Sequence, residues 1–240
     1  GSGNLTLNAV GNIWSSGTWS GGGTTTLGST LGVGATLTAS GTATSTIFSG
    51  RTLAIGNLAS ATFNGAIELD TGSSAIANAG TLTFDGTRLS HFFNSVGTLA
   101  LTNTGTLIKS GVSSYDLGSV NLSNTGTIDV TGGTLSYSSG TGSSSGAVNI
   151  ASGATWETGG GSIGFAAGST LTNAGTLLSS NGSTTIAPAS AFTGGITITG
   201  GTLAVDAATS VAGVFTQSGG TLAGSGNLTL NAVGNIWSSG

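Results

Sequence analysis

A short unit returns along this chain: Asn-x-Gly-Thr followed by alternating residues. It reads NAGTLTF from Asn78, NTGTLIK from Asn103, NTGTIDV from Asn124 and NAGTLLS from Asn173. The first two steps are similar in length, and the last, from Asn124 to Asn173, is about two steps. A sister form lacks the Asn: GGTLSY from Gly132, GGTLAV from Gly200 and GGTLAG from Gly219. Self-similarity at a period of about 19–25 residues is the signature of a chain built by stacking one supersecondary unit.

Each unit has the same physical content. Gly80, Gly105, Gly126 and Gly175 are expected to turn the chain through positive φ. Alternation follows each turn. In TLTF, Leu82 and Phe84 share one face, and Thr81 and Thr83 share the other. TIDV puts Ile128 and Val130 inward and Asp129 outward. Alternation at period two with β-branched residues means strands. No segment carries a helical period, and Gly recurs too densely for long helices. A sandwich has no reason to repeat one punctuation every twenty-odd residues, whereas a solenoid does. The expected fold is therefore all-β: a parallel β-helix, right-handed because the strict hexapeptide period of left-handed coils is absent. Asn78, Asn103, Asn124 and Asn173 are expected to form a corner ladder of mutually bonded amides. Leu82, Leu107, Ile128 and Leu177 are expected to form an inner apolar stack.

Composition agrees with a closed stack. Only 4% of the residues are charged, against about 25% in ordinary domains. Hydrophobic residues reach 37% and the net charge is −4, so the chain has the means to bury a core and is not of the disordered type. Few charges are available to protect an exposed strand edge, so the geometry itself must hide the edges. The acidic balance gives no footprint for nucleic acid. Without Cys there is neither a disulfide framework nor a thiolate metal site. No Met, no apolar run of spanning length and no signal peptide are visible, as expected of an internal slice of a longer chain.

Residues 1–17, GSGNLTLNAVGNIWSSG, return unchanged as residues 224–240. Position 224 is thus equivalent to position 1, and the segment 1–223 is the long period. Residues 1–223 are expected to form one full repeat and 224–240 to begin the next. At roughly 20 residues per coil and about 4.8 Å between coils, one period makes about 11 coils and a rod about 50 Å long. Leu5 and Leu228, and Trp14 and Trp237, are then expected at the same positions in the cross-section.

The stretches GTLAGSGNLTL (220–230), IWSSGTWSGGGTTT (13–26), GATLTASG, NAGTLTF and NTGTIDVTGGTLSYSSG (124–140) resemble the long tandem repeats of giant bacterial cell-surface proteins. These are the filamentous-haemagglutinin-like and autotransporter-like adhesins. The resemblance covers most of the chain and is weaker over RLSHFFNSV (88–96). It implies β-helical stalks that are secreted and displayed, with localisation outside the cell or on the bacterial surface. It implies no particular ligand.

Several motifs carry possible chemistry. DTGSS (70–74) matches the aspartic-protease signature, in which two carboxylates share a proton, but only one copy is present. A coil corner with an exposed Asp70 is the plainer reading. GSSSG (142–146) fits the nucleophile elbow, yet no helix follows and the only His, His91, lies in the irregular stretch. Glu68 and Asp70 share a strand face and could contribute to a Ca²⁺ site, which needs six to eight oxygens. No other cofactor is expected. Arg51, Arg88 and Lys109 are the only basic residues, too few for a lyase groove. Alternation turns Lys109 toward the core side, and a corner position would let its charge reach a carbonyl. Trp14, Trp19, Trp156 and Trp237 are candidates for a ligand-stacking face, or else plugs in the coil interior. Outward threonines suggest an ice-binding array, although variable coil length argues against a regular ladder. The leading expectation is a structural repeat module that spaces or forms an extracellular filament, with no enzymatic activity. Its partners are neighbouring copies, in one chain or head to tail. The alternative is an adhesive Thr/Trp-rich face for glycan, surface or ice. A hydrolase or lyase comes last.

Overall fold

The computed structural model describes residues 1–41, 46–65, 67–69, 73–85, 90–94 and 98–239. Among them there is no helix, and the chain winds into a three-faced β-solenoid. The first face is an 11-stranded sheet running from Leu5–Leu7 to Thr221–Ala223. The third face is another 11-stranded sheet, from Gly17–Ser20 to Ile236–Trp237. The second face begins as an 8-stranded sheet, from Asn12–Trp14 to Thr170–Asn173. It goes on as a 3-stranded sheet of Ser190–Phe192, Thr209–Val211 and Leu228–Leu230. Pro188 lies in the corner just before that second segment and brings no N–H to it. Each turn visits the first, second and third face in order, for about ten turns.

Pairing is parallel and in register from coil to coil. On the first face Ile76 lies beside Leu101 and Leu101 beside Leu122. On the second, Leu82, Leu107 and Ile128 form one column. Coil length varies along the first face: a short coil carries Thr184 round to Leu203, and a long one carries Thr25 round to Leu53. The long coil exceeds the expected range because it holds a small antiparallel hairpin of Ser29–Thr30 and Val33–Gly34. Its tip, Leu31 at φ 50 and Gly32 at φ 80, has the two left-handed residues of a tight hairpin turn. The extra residues leave through a corner, so the flanking strands keep their register.

Strand after strand alternates half-buried and buried, as in Thr81–Asp85 and Thr127–Val130. The buried set fills the tube. Phe84 and Tyr115 stack with centroids 4.4 Å apart, and Trp156 meets Phe165 edge-on at 5.6 Å. Sizes compensate across faces. Where the first face turns Gly142 inward, a Cβ there would lie 2.5 Å from Ile163 Cδ1 and 3.2 Å from the Tyr137 hydroxyl. That hydroxyl donates to the Val120 carbonyl at 2.5 Å.

Three expectations need correction. First, Gly80, Gly105, Gly126 and Gly175 do not have positive φ. They are glycines because successive coils nearly touch at the corner. A Cβ on Gly105 would overlap the Gly80 carbonyl oxygen and lie 2.6 Å from the Ala79 carbonyl carbon. Gly126 stands in the same relation to Gly105, and Gly175 to Ala154 and Ala151. Second, Asn173, Gly175 and Leu177 belong to a different corner and face from their supposed equivalents. Asn78, Asn103 and Asn124 end first-face strands, whereas Asn173 ends the second-face strand Thr170–Asn173. Leu177 stacks on the third face between Trp156 and Ile196. Third, the two copies of GSGNLTLNAVGNIWSSG do not share a cross-section position. Leu5–Leu7 lies on the first face and Leu228–Leu230 on the second; Asn12–Trp14 lies on the second and Ile236–Trp237 on the third.

Candidate functional site

The polar groups inside the tube are concentrated at its corners. At the corner between the first and second faces, Asn78 Nδ2 donates to Asn103 Oδ1 at 2.7 Å. Asn103 Nδ2 donates to Asn124 Oδ1 at 2.7 Å, and Asn124 Nδ2 to Ser144 Oγ at 2.8 Å. The amides also reach the strand that follows: Asn78 donates to Thr106 O and Asn103 to Thr127 O, both at 2.9 Å. All three asparagines are buried, so these bonds offset the cost of removing the amides from water. The ladder starts above Ile55, which offers no donor, and Asn78 Oδ1 is left without a partner. Asn173 stands apart from it. Its amide donates to Gly195 O at 2.9 Å, its Oδ1 has no partner, and Ile150 lies beside it. Ser144, the middle Ser of GSSSG, ends the ladder as an acceptor, and the strand Ala147–Ile150 follows rather than a helix.

Lys109 occupies an inward position between Phe84 and Val130 and is 0% exposed. Its stem lies in the core and its Nζ reaches the next corner. There it donates to Ser110 O at 2.6 Å, Gly132 O at 2.9 Å and Gly111 O at 3.4 Å. Burial lowers its pKa from the ordinary lysine value, and the Asp85 carboxylate partly opposes that. Between the lowered value and 10.5 the unfolded chain holds a proton that the folded chain has shed, so stability rises with pH across that window. Above about pH 10 the sign reverses, because burial pushes Tyr137 up to about 12 and the folded chain keeps a proton that the unfolded chain loses. The urea midpoint should therefore climb as the pH rises toward the ordinary lysine value, until the tyrosines oppose it, and the Lys109→Met chain should lose that climb. A slope shared by both chains would assign the effect to another group.

Arg51 is the other inward cation described. From the corner between the third and first faces its Nε donates to Thr25 Oγ1 at 2.7 Å, and its guanidinium to Gly3 O at 2.9 Å and Gly1 O at 3.2 Å. One side chain thereby ties three successive coils. Both cations donate to backbone carbonyls, and Arg51 also lines a hollow at the first coil with Gly1, Leu5, Trp19 and Thr25. Four of the described carboxylates, Asp116, Asp129, Glu157 and Asp206, are held by neutral donors. Asp116 accepts from Ser138 Oγ at 2.7 Å and Gly118 N at 2.9 Å. Asp129 accepts from Asn149 and Glu157 from Ser180. No group of three metal-ligating side chains occurs among the described residues. Asp70 and Arg88 lie outside the described residues, and Glu68 and His91 are described as backbone alone.

The tryptophans point into the tube rather than onto an outer face. Trp14 is 4% exposed and stacks on Trp19 at 4.3 Å; Trp156 is fully buried. Trp237 pairs beside Gln217 on the third face and is 65% exposed, because no coil lies above it. As a stacking face for a ligand, Trp14 and Trp156 are inaccessible.

Outside, the second face carries Thr36 and Thr38, then Ser60 and Thr62, then Thr81 and Thr83, in strict register. Corners absorb the variation in coil length, so unequal coils still give an in-register column of Thr38, Thr62 and Thr83 beside one of Thr36, Ser60 and Thr81. The ladder stops at Ile108 and Asp129, which continue the Thr83 column. The shallow hollows of the first face are lined by Ala54, Ala77, Thr102, Ser123 and Gly142, with no charged side chain.

No family model, no curated protein and no solved structure matches this chain.

Proposed function

We propose that this chain is a structural module of an extracellular β-helical fibre, a stalk of the cell-surface adhesin type whose work is spacing. The reading rests above all on one observation: parallel pairing runs in register along the first and third faces and along both segments of the second, and the far end repeats the residues of the start, one face on. A stack with that property has no lateral edge and continues at its ends. The polar residues inside it bond to one another and to backbone, which is the work of holding coils together. Its partners in this reading are neighbouring copies of the same repeat, outside the cell. Negative-stain electron microscopy tests it. This chain should give rods about 50 Å long, and a chain with a second copy should give rods about 50 Å longer. Globules whose diameter grows with the cube root of mass would overturn the reading.

A second reading is favoured by the in-register threonines of the second face: weak, repeated adhesion to glycan, mineral or ice, amplified along the array. Ice-affinity and glycan-array assays on the whole chain and on its Thr38→Val, Thr62→Val, Thr83→Val triple variant test it. Binding that the triple variant loses would support this reading, and silence would leave the stalk alone.

A further inference from the structure

The repeated stretch GSGNLTLNAVGNIWSSG returns on a different face, and this sets how one copy of the repeat joins the next. Leu5–Leu7 opens the first face, and the first-face strand ten turns later is Thr221–Ala223. The copy, Leu228–Leu230, comes one strand after that, on the second face. The long period therefore spans ten turns and one third. Two shorter motifs move in the same sense. The Asn-x-Gly-Thr corner joins the first and second faces at Asn124–Thr127 but the second and third at Asn173–Thr176. Gly-Gly-Thr joins the second and third faces at Gly132–Thr134, but the third and first at Gly200–Thr202. The three faces accept the same residues because each offers a short strand with alternate side chains inward, followed by a short corner. The elementary unit is thus a third of a coil.

We propose that a second copy of this repeat continues from residues 224–240 with every strand one face further round, so that each copy is turned by one third of a turn from the one before. The partner is another copy of the same sequence in the same chain, whose first 17 residues are residues 224–240. This rests on the fibre reading above. Three copies restore the starting face, after about 31 coils or about 150 Å. The hairpin at Ser29–Gly34 shows the consequence. It carries Leu31, 99% exposed, and Val33 out of the corner between the first and second faces. In the next copy it leaves the corner between the second and third faces, and then the corner between the third and first. A surface that approaches the fibre from one side meets a given hairpin in every third copy only, and no side of the fibre lacks one.

Engineered disulfides test the turn in the chain as it stands, which has no cysteine of its own. Ser210 pairs with Thr229 on the second face, and Ala204 pairs with Ala223 on the first. Stacked strands about 4.8 Å apart suit the Cα separation of a disulfide. If the copy instead returned to the first face, Thr229 would pair with Ala204. The S210C/T229C chain should close under mild oxidation at least ten-fold faster than the A204C/T229C chain, read by peptide mapping without reductant. The reverse order, or equal rates, overturns the one-third turn. The same chains viewed by electron microscopy separate this result from the fibre reading: rods with the reverse order keep the fibre and lose the turn, and globules lose the fibre.

Discussion

Gly105→Ala should destabilise the fold by about 4 kcal/mol or more, while Gly153→Ala should cost only about 1 kcal/mol. A rule based on backbone angle alone predicts the opposite. Gly153 has φ 79, a conformation that L-residues resist, and Gly105 has no positive φ. Space decides. Nothing lies within 4 Å of a Cβ on Gly153. On Gly105 the same atom meets the Gly80 carbonyl, with Ala79 O at 2.7 Å, and these are backbone atoms that no rotamer change can move. Relief requires the two coils to part. That lengthens the bond from Thr106 N to Gly80 O, now 2.8 Å, and disturbs the one from Thr127 N to Gly105 O, now 2.9 Å. Urea unfolding followed by circular dichroism gives the global cost. Hydrogen exchange at Thr106 and Thr127 locates it, which matters because solenoids can open in parts. Equal costs for the two variants would contradict the close-approach account.

Asn103→Leu should be the next most damaging change, at about 3 kcal/mol, against about 1 kcal/mol for Asn173→Leu. The two residues have the same motif around them and are equally buried. Asn103 is the middle of a ladder. Removing its amide takes the acceptor from Asn78 and the donor from Asn124, and leaves Thr127 O without its side-chain donor. Asn173 donates to Gly195 O, and its own Oδ1 is already unpartnered. Leucine there removes an orphaned acceptor along with the bond. Denaturant midpoints of the two variants decide the matter, and similar losses would mean that the ladder is no more than the sum of separate amides.

The two pairs of variants also show what could be read from the chain beforehand. Alternation in TLTF and TIDV announced strands, and recurrence of the Gly-Thr corner announced stacking. Both are local patterns, repeated often enough to average out exceptions. The inward set Leu82, Leu107 and Ile128 was legible for the same reason. The reason for the corner glycines was not. A sequence shows that Gly recurs but not that another coil's carbonyl lies where its Cβ would be. Lys109 was half legible: alternation turned it inward, and the carbonyls of Ser110, Gly111 and Gly132 that receive its ammonium come from two coils. The tryptophans could be read as ligand face or interior plug, and burial decided for the interior at Trp14 and Trp156.

The sequence by itself determined the kind of object: strands, corners, a stack, and a long period that closes at position 224. Which face each segment occupies was decided only by the tertiary structure. A strand's face depends on how many strands and corners precede it, so it is a sum over the whole chain rather than a property of the segment. The spacing from Asn124 to Asn173 fits two turns or two and a third, because corners differ in length by a few residues. Side chains packed between coils choose between those counts. That choice moved Asn173 out of the ladder and the second GSGNLTLNAVGNIWSSG one face away from the first.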